Sequence, residues 1–398
     1  MPINLIERAI ADIQQGKMVI IVDDKNRENE GDLVMSAEKV TTTDINFMAH
    51  HGCGLICMPM TEADFKRLDI SMMVQNNQSS FNTAFGVSIG AASGITTGIS
   101  AYDRALTIQV AANPQSTAVD IVKPGHVFPL KAVKGGVLKR KGQTEASVDL
   151  MKLAGLNPAA VICEIMNVDG TMAREKDIKA FADTHCLTVI SVQDIVEYRL
   201  KTETMIKKIS SANLPTKFGA MQIHHYQSDC DELEWIAITS GEIEKQSSPL
   251  VRLHSKCLTG DVLYSTRCDC GEQLEMAMQA IAKEGGVLLY LPQEGRNIGL
   301  SNKIKSYALQ DKGLDTVEAN HQLGFQADER EYFIPAQILK NLGVHSVRLM
   351  TNNMSKVVAL QKYAVEVVER VPLIAQPNKE NIAYLKTKQN KLGHELNL

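Results

Sequence analysis

Apolar residues recur at helical spacing in INLIERAIADIQ and then bunch into an unbroken run in KMVIIVDD (17–24). The pattern predicts an amphipathic helix leading into a buried strand that ends in an acidic loop. TDINFMAHHG (43–52) reads as a helix closed by Gly52, and GLICMPM (54–60) as a strand. TEADFKRL (61–68) opens on a threonine suited to cap a helix. TAFGVSI (83–89) alternates like a strand, YDRALTIQVAA (102–112) is helix-like, and AAVICEIM (159–166) is a buried strand followed by the turn NVDG. DIKAFADTHC (177–186) reads as a helix, LTVISV (187–192) as a strand, and a further helix begins at VQDIVEYRL.

A polar, lysine-rich stretch, Lys201–Lys217, interrupts this order, with Pro215 and Gly219 near its end. It predicts a boundary between domains at 1–200 and 201–398. Strands resume with AMQIHHYQ, LEWIAITSG and PLVRLHS. The helix CGEQLEMAMQAIAKEGG (270–286) precedes the strand VLLYLP (287–292), and NKIKSYALQDKG (302–313) is helical. PAQILKNLG (335–343), VRLMTNN (347–353) and SKVVALQKYA (355–364) form a helix–strand–helix run. The expected class is α/β to α+β, two domains, each a mixed sheet packed with helices.

A chain of 398 residues suits two domains. A net charge of −4 does not suggest a nucleic-acid coat or a membrane surface, and no apolar stretch is long enough to span a bilayer. The N-terminus lacks the basic-then-apolar plan of a signal peptide. Of eight cysteines, Cys53, Cys57, Cys163, Cys186 and Cys230 are scattered, whereas Cys257, Cys268 and Cys270 cluster. Free thiols and one metal cluster fit the cytoplasm better than a disulfide framework.

The cluster lies in HSKCLTGDVLYSTRCDCGEQ, with ten residues between Cys257 and Cys268 and one between Cys268 and Cys270. Three thiolates plus water is the catalytic zinc pattern. A structural zinc site with a fourth ligand elsewhere, or unligated core cysteines, are the alternatives at this point. QEGRNIGL (293–300) places an acid, a glycine turn and Arg296 after a buried strand, a setting for phosphate oxygens. ADER (327–330) brings Asp328 near Arg330, and TNNMSK (351–356) offers Thr351 and Lys356 after another strand.

Together VRLHSKCLTGDVLYSTRCDCGEQL, LPQEGRNIGL, DTVEANHQLGF, ADER, ERVPLI and KLGHELN closely resemble GTP cyclohydrolase II, from about Leu214 onward. The resemblance implies an enzyme of riboflavin biosynthesis that uses zinc and magnesium. It converts GTP and water to 2,5-diamino-6-(5-phosphoribosylamino)pyrimidin-4(3H)-one, formate and pyrophosphate. It implies one Zn2+ per chain on Cys257, Cys268 and Cys270, with a zinc-activated hydroxide opening the guanine imidazole ring at C8. GTP contacts are implied for Arg252, Leu253, His254, Ser255, Lys256, Gln273, Glu294, Gly295, Arg296, Tyr307, Thr316, Thr351 and Lys356. In the family Arg330 is the nucleophile at the α-phosphate and Asp328 the proton acceptor. Guanidinium is almost always protonated, so electrostatic stabilisation of the transferring phosphoryl group is the sounder role for Arg330. Lys256 stands where the family usually has glutamate, which reverses a charge beside a zinc ligand.

In the first half, DDKNRENEGD (23–32) is an acidic loop whose Glu28, Glu30 and Asp32 suit a hard cation. With KPGHVFPLKAVKGGVLKRKGQTEASVDLMKLAG and CEIMNVDGTMA it resembles 3,4-dihydroxy-2-butanone 4-phosphate synthase over about Ile3–Arg199. That family rearranges ribulose 5-phosphate with magnesium, losing formate, and is commonly fused ahead of GTP cyclohydrolase II. Arg27, Glu28 and Asp32 match substrate and metal positions, His126 and Glu164 catalytic ones, and Arg140, Thr144 and Glu145 phosphate and substrate ones. The family's metal-binding histidine is here Gln143, a poor ligand. Gln75, Gln78, Gly90, Lys123 and Lys141 also depart from the family pattern. A vestigial synthase domain is therefore expected, serving dimerisation, stability or control.

The leading expectation is thus a GTP cyclohydrolase II. A fully bifunctional enzyme that also acts on ribulose 5-phosphate is the alternative, and a non-catalytic nucleotide-binding scaffold, suggested only by Lys256, is a third. Both resemblances imply a homodimer. Neither a nucleic-acid nor a membrane partner is expected.

Overall fold

In the computed structural model, which describes residues 2–393 and residue 395, the unbroken apolar runs of the first half become strands buried on both faces. Two compact units are present, Met1–Glu203 and Thr204–Leu398. The first is built on β1 (Val19–Val22), β2 (Gly31–Ser36), β3 (Cys57–Met60), β4 (Ile89–Ala91), β5 (Ile121–Lys131), β6 (Ala160–Glu164) and β7 (Thr188–Ser191). They form one sheet in the order β4-β5-β3-β6-β2-β1-β7. It is mixed: β1 runs antiparallel to β2 and parallel to β7.

Alternation along β1 explains why its sequence shows no polar face. Ile20 packs into one core with Leu33, Met35, Met58 and the helix Ala101–Ala112. Val19 and Ile21 pack into the other, with Ile6, Ile13, Leu150 and Ile195 from three further helices. A sheet covered by helices on both sides needs apolar residues at every position of its central strands.

The second unit repeats the plan with β8 (Ile206–Thr216), β9 (Gly219–Ser228), β10 (Glu234–Ser240), β11 (Leu250–Ser255), β12 (Gly286–Leu291), β13 (Ser346–Met350) and β14 (Glu366–Val371). Their order is β14-β13-β11-β12-β10-β9-β8, with β11 parallel to β12 and β13. Parallel neighbours bring the ends of β11, β12 and β13 to one edge, where ligand-binding loops gather in sheets of this kind.

Two expectations are corrected, and the lysine-rich stretch at the expected boundary proves to be mostly strand: the helix Val192–Thr202 ends and β8 begins four residues later. β8 is an edge strand exposed along most of its length, so it carries no apolar alternation to read. TAFGVSI is not a strand until Ile89; Phe85 and Gly86 make only single bridges to Leu130 and Met72. Asp32 does not belong to the acidic loop but lies inside β2, opposite Glu164 of β6. The end of the quoted KLGHELN block, His394 and Leu396–Asn397, lies outside the described residues.

Candidate active site

Cys257 lies two residues past the end of β11, and Cys270 opens the helix Cys270–Glu284 with Cys268 just ahead of it. Their sulfur atoms all lie within 4.8 Å of one another. Cys257 Sγ is 3.7 Å from Cys268 Sγ. Tetrahedral zinc with Zn–S near 2.3 Å sets sulfurs about 3.8 Å apart, so the donor set fits that ion. Among the described residues no other group of three His, Cys, Asp or Glu donors gathers so closely. Gly260 makes the approach possible: a Cβ there would stand 2.9 Å from Cys268 Sγ and 3.2 Å from Cys257 Sγ.

The loop is held from behind. Asp261 Oδ2 accepts the Cys257 N–H at 2.9 Å and the Tyr290 hydroxyl at 2.9 Å, and the His254 ring lies 3.1 Å from Oδ1. Sulfhydryls at Cys268 and Cys270 and the ammonium of Lys303 favour a thiolate on Cys257, and that charge pushes the Cys268 thiol up to about 11.

The thiols open onto a cleft that also presents Arg252, His254, Ser255, Lys256, Gln273, Gly295, Arg296, Tyr307, Thr316, Arg330, Thr351 and Lys356. Two of the residues expected to touch nucleotide, Leu253 and Glu294, do not line it, and neither does Asp328, the expected proton acceptor. Leu253 is buried within β11, paired with Leu289 of β12, and its carbonyl accepts Lys356 Nζ at 2.8 Å. Glu294 turns back to accept the Leu258 N–H at 2.8 Å and Lys303 Nζ at 2.6 Å. Asp328 is committed to Arg330, whose Nε donates to it at 2.7 Å beside a second bond from Nη2. The Lys256 N–H bonds Leu291 O at 2.8 Å, extending the β11–β12 pairing, while its side chain is exposed at the cleft.

Electrostatically the cleft is a crowd of cations. Burial pulls the Arg252 guanidinium down to about 10. Burial, then Arg252 and Arg330, pull Lys356 well below the usual lysine range. Burial also opposes charge on Arg330, but Tyr332 and the two-pronged Asp328 outweigh it and hold the guanidinium protonated. Arg252 Nε and Arg296 Nη2 are buried without a hydrogen-bond partner among the described residues. Arg296 and Asn297 adopt left-handed φ of 62° and 77°, a conformation uncommon outside glycine and asparagine. Buried donors left unpaired and ammonium groups destabilised by neighbours are both relieved by a polyanion.

Residues the sequence reading passed over complete the cleft. Lys388 and Tyr384, on the helix Ile382–Leu392, line it, as do Arg267 and Lys303. Asp269, between two of the thiols, accepts Lys388 Nζ and Gln273 Nε2. Its position in CDC was the one local signal; Lys388 lies over a hundred residues away and had none.

In the first unit Asp32 is almost wholly buried, and burial followed by the charge of Glu164 pushes its carboxyl well up. Asp32 Oδ1 has no hydrogen-bond partner among the described residues. Glu164 Oε2 accepts the Leu55 N–H at 2.7 Å and is itself pushed up by burial. Arg27 pairs with Asp23 at 2.7 Å and Glu28 at 3.0 Å. Arg140 bonds Glu145 at 2.6 Å, and Thr144 and Glu145 are buried in the first turn of the helix Gln143–Leu153. His126 is exposed on β5 beside Gly98. Gln143 is buried, and its Nε2 donates to the main-chain carbonyls of Glu30 at 3.1 Å and Ile21 at 3.4 Å. Lys123 bonds Asp69, so its charge is balanced by a carboxylate.

Residues 7–198 match the family model of 3,4-dihydroxy-2-butanone 4-phosphate synthase, and residues 207–372 that of GTP cyclohydrolase II. The chain is 57% identical over 395 residues to the riboflavin biosynthesis protein RibBA of Aquifex aeolicus, covering 98% of this chain and 97% of that one. It is 53% identical to a RibBA of Bacillus cereus, with 99% of each covered. A crystal structure of RibBX, a two-domain 3,4-dihydroxy-2-butanone 4-phosphate synthase from A. baumannii, matches with a TM-score of 0.69 and 35% identity, over 92% of this chain and 99% of that one.

Proposed function

The chain belongs to the bifunctional riboflavin biosynthesis family that joins a 3,4-dihydroxy-2-butanone 4-phosphate synthase domain to a GTP cyclohydrolase II domain, and from that premise we propose that the cleft of the second unit binds and opens GTP while the first unit has lost its lyase activity. The observation that carries the first part is that three thiols and a crowd of buried cations share one cleft. Arg252, Arg296 and Lys356 take the triphosphate, with magnesium carried on its oxygens. Arg330, fixed by Asp328 and kept charged, stabilises the phosphoryl group as pyrophosphate departs. Cys257, Cys268 and Cys270 hold zinc, which when bound supplies a Lewis acid and lowers the pKa of water towards ~7. Lys256, the one support for a non-catalytic scaffold, is an exposed side chain at the cleft rim and leaves that reading without support.

For the first unit the deciding observation is Gln143. The buried Asp32 and the half-buried Glu164, opposite one another on β2 and β6, fit a divalent cation. The imidazole that would join them is replaced by an amide whose donors are spent on Ile21 and Glu30 carbonyls. The intact carboxyl pair favours the second reading, a fully bifunctional enzyme. Supplying GTP with zinc and magnesium, and separately ribulose 5-phosphate with magnesium, separates them by formate release and product mass. Formate from GTP alone is expected; ordinary turnover of ribulose 5-phosphate overturns the loss. We infer a cytoplasmic homodimer from the family and from eight free thiols.

A further inference from the structure

Lys303, on the helix Gly299–Gln310, is 8% exposed, and its ammonium has two partners. It donates to Glu294 Oε1 at 2.6 Å and to Cys257 Sγ at 3.1 Å. Glu294 spends its other oxygen on the N–H of Leu258, the residue after Cys257. One cation therefore grips both the sulfur and, through a carboxylate, the turn that carries it. The ring of Tyr307 lies 5.7 Å from the same ammonium, and its hydroxyl meets Thr259 Oγ1 at 3.1 Å, within the same turn.

We propose that Lys303 is a positioning residue of the thiolate centre, fixing the Cys257 sulfur and drawing electron density from it. The proposal rests on the reading of the three thiols as metal ligands. Three thiolates around a divalent ion leave one net negative charge, which weakens the ion as a Lewis acid. An ammonium donating to one sulfur offsets that charge at its source, and such outer partners set both ligand orientation and metal electronics. Glu294 is the anchor that keeps the ammonium on the sulfur side of the cleft rather than on the substrate's phosphates.

The test uses the full chain loaded with cobalt in place of zinc, without nucleotide. The readouts are the thiolate-to-cobalt charge-transfer band and metal affinity in competition with a chelator. Lys303→Met strands Glu294, so the double variant K303M/E294Q, which removes both charges, is measured beside it, with Trp235 fluorescence as the check of folding. Both variants are expected to bind metal about 10–100-fold more weakly and to shift the band to lower energy. Lys303→Arg, which keeps a cationic donor, is expected to hold the band near its wild-type position. A folded double variant with unchanged band and affinity overturns the proposal, even if its KM for GTP has risen. Absence of any thiolate–cobalt band in the wild-type chain sinks the metal reading itself, an outcome distinct from a normal wild-type band that the variants leave unmoved.

Discussion

Lys388 Nζ donates to Asp269 Oδ1 at 2.6 Å, tying the helix Ile382–Leu392 to the residue between two of the cleft's thiols. Both side chains are nearly buried, 9% and 2% exposed. Removing one partner of such a pair leaves an uncompensated charge, so Lys388→Met is expected to cost the second unit roughly 3–5 kcal/mol. The double variant D269N/K388M recovers much of that loss. Trp235, the one tryptophan, is buried in β10, so denaturant unfolding followed by its fluorescence reports on this unit. An unchanged midpoint for Lys388→Met would contradict the pair.

Asp32 gives the first unit a pH signature. Its folded pKa is raised well above the ordinary 3.8, so the protonated carboxyl favours folding below that value. The contribution is lost as pH rises through the interval up to the folded pKa. At pH 7, Asp32→Asn is therefore expected to raise the melting temperature of the first unit by roughly 2–4 °C for each kcal/mol relieved. The gain should shrink towards pH 4. Calorimetry of the transition that Trp235 does not report measures it, and a destabilised Asp32→Asn at neutral pH would show that the carboxylate is satisfied as it stands.

Gln143→His alone is expected to leave ribulose 5-phosphate unconverted. The ring would give up the amide's bonds to the Ile21 and Glu30 carbonyls, and Gln75, Gln78, Gly90 and Lys141 would remain. Formate release is the readout, and full recovery from this one substitution would show the other departures to be neutral.

Zinc content should be one ion per chain by elemental analysis and fall to near zero in Cys268→Ser, because a set of three thiols has no spare ligand. Chelation should abolish formate from GTP, with activity returning on zinc addition. A chelator-resistant activity would place the chemistry elsewhere.

Much of this fold was legible because burial leaves a pattern. The runs at 17–24, 159–166 and 287–292 became central strands, and Thr61, read as a cap, accepts the Asp64 N–H in a capping box. What stayed hidden has a physical reason in each case. β8 lies at an exposed edge, where pairing is by main chain and side chains carry no periodicity. Of the site, the thiol triad was visible from spacing within one segment. Asp261, Lys303 and Lys388 act on that triad from a turn, a helix and a distant helix, and side-chain identity alone did not announce where they point. Glu294 stood out in the sequence, but nothing there told that its carboxylate bonds Lys303 and the Leu258 N–H.

The place of β8 bears on how the two activities can be dissected. The recognisable cyclohydrolase motifs begin near Leu214, inside a family match that opens at residue 207, and they invite a cut at Leu214. That cut would strip β9 of its partner along Ile206–Asn213 and leave a row of unpaired main-chain donors and acceptors on a new sheet edge. The lysines at 207 and 208, which guard the natural edge, would go with it. A fragment begun at Thr204 keeps its own border, whereas one begun at Leu214 exports an aggregation problem that would pass for a catalytic defect.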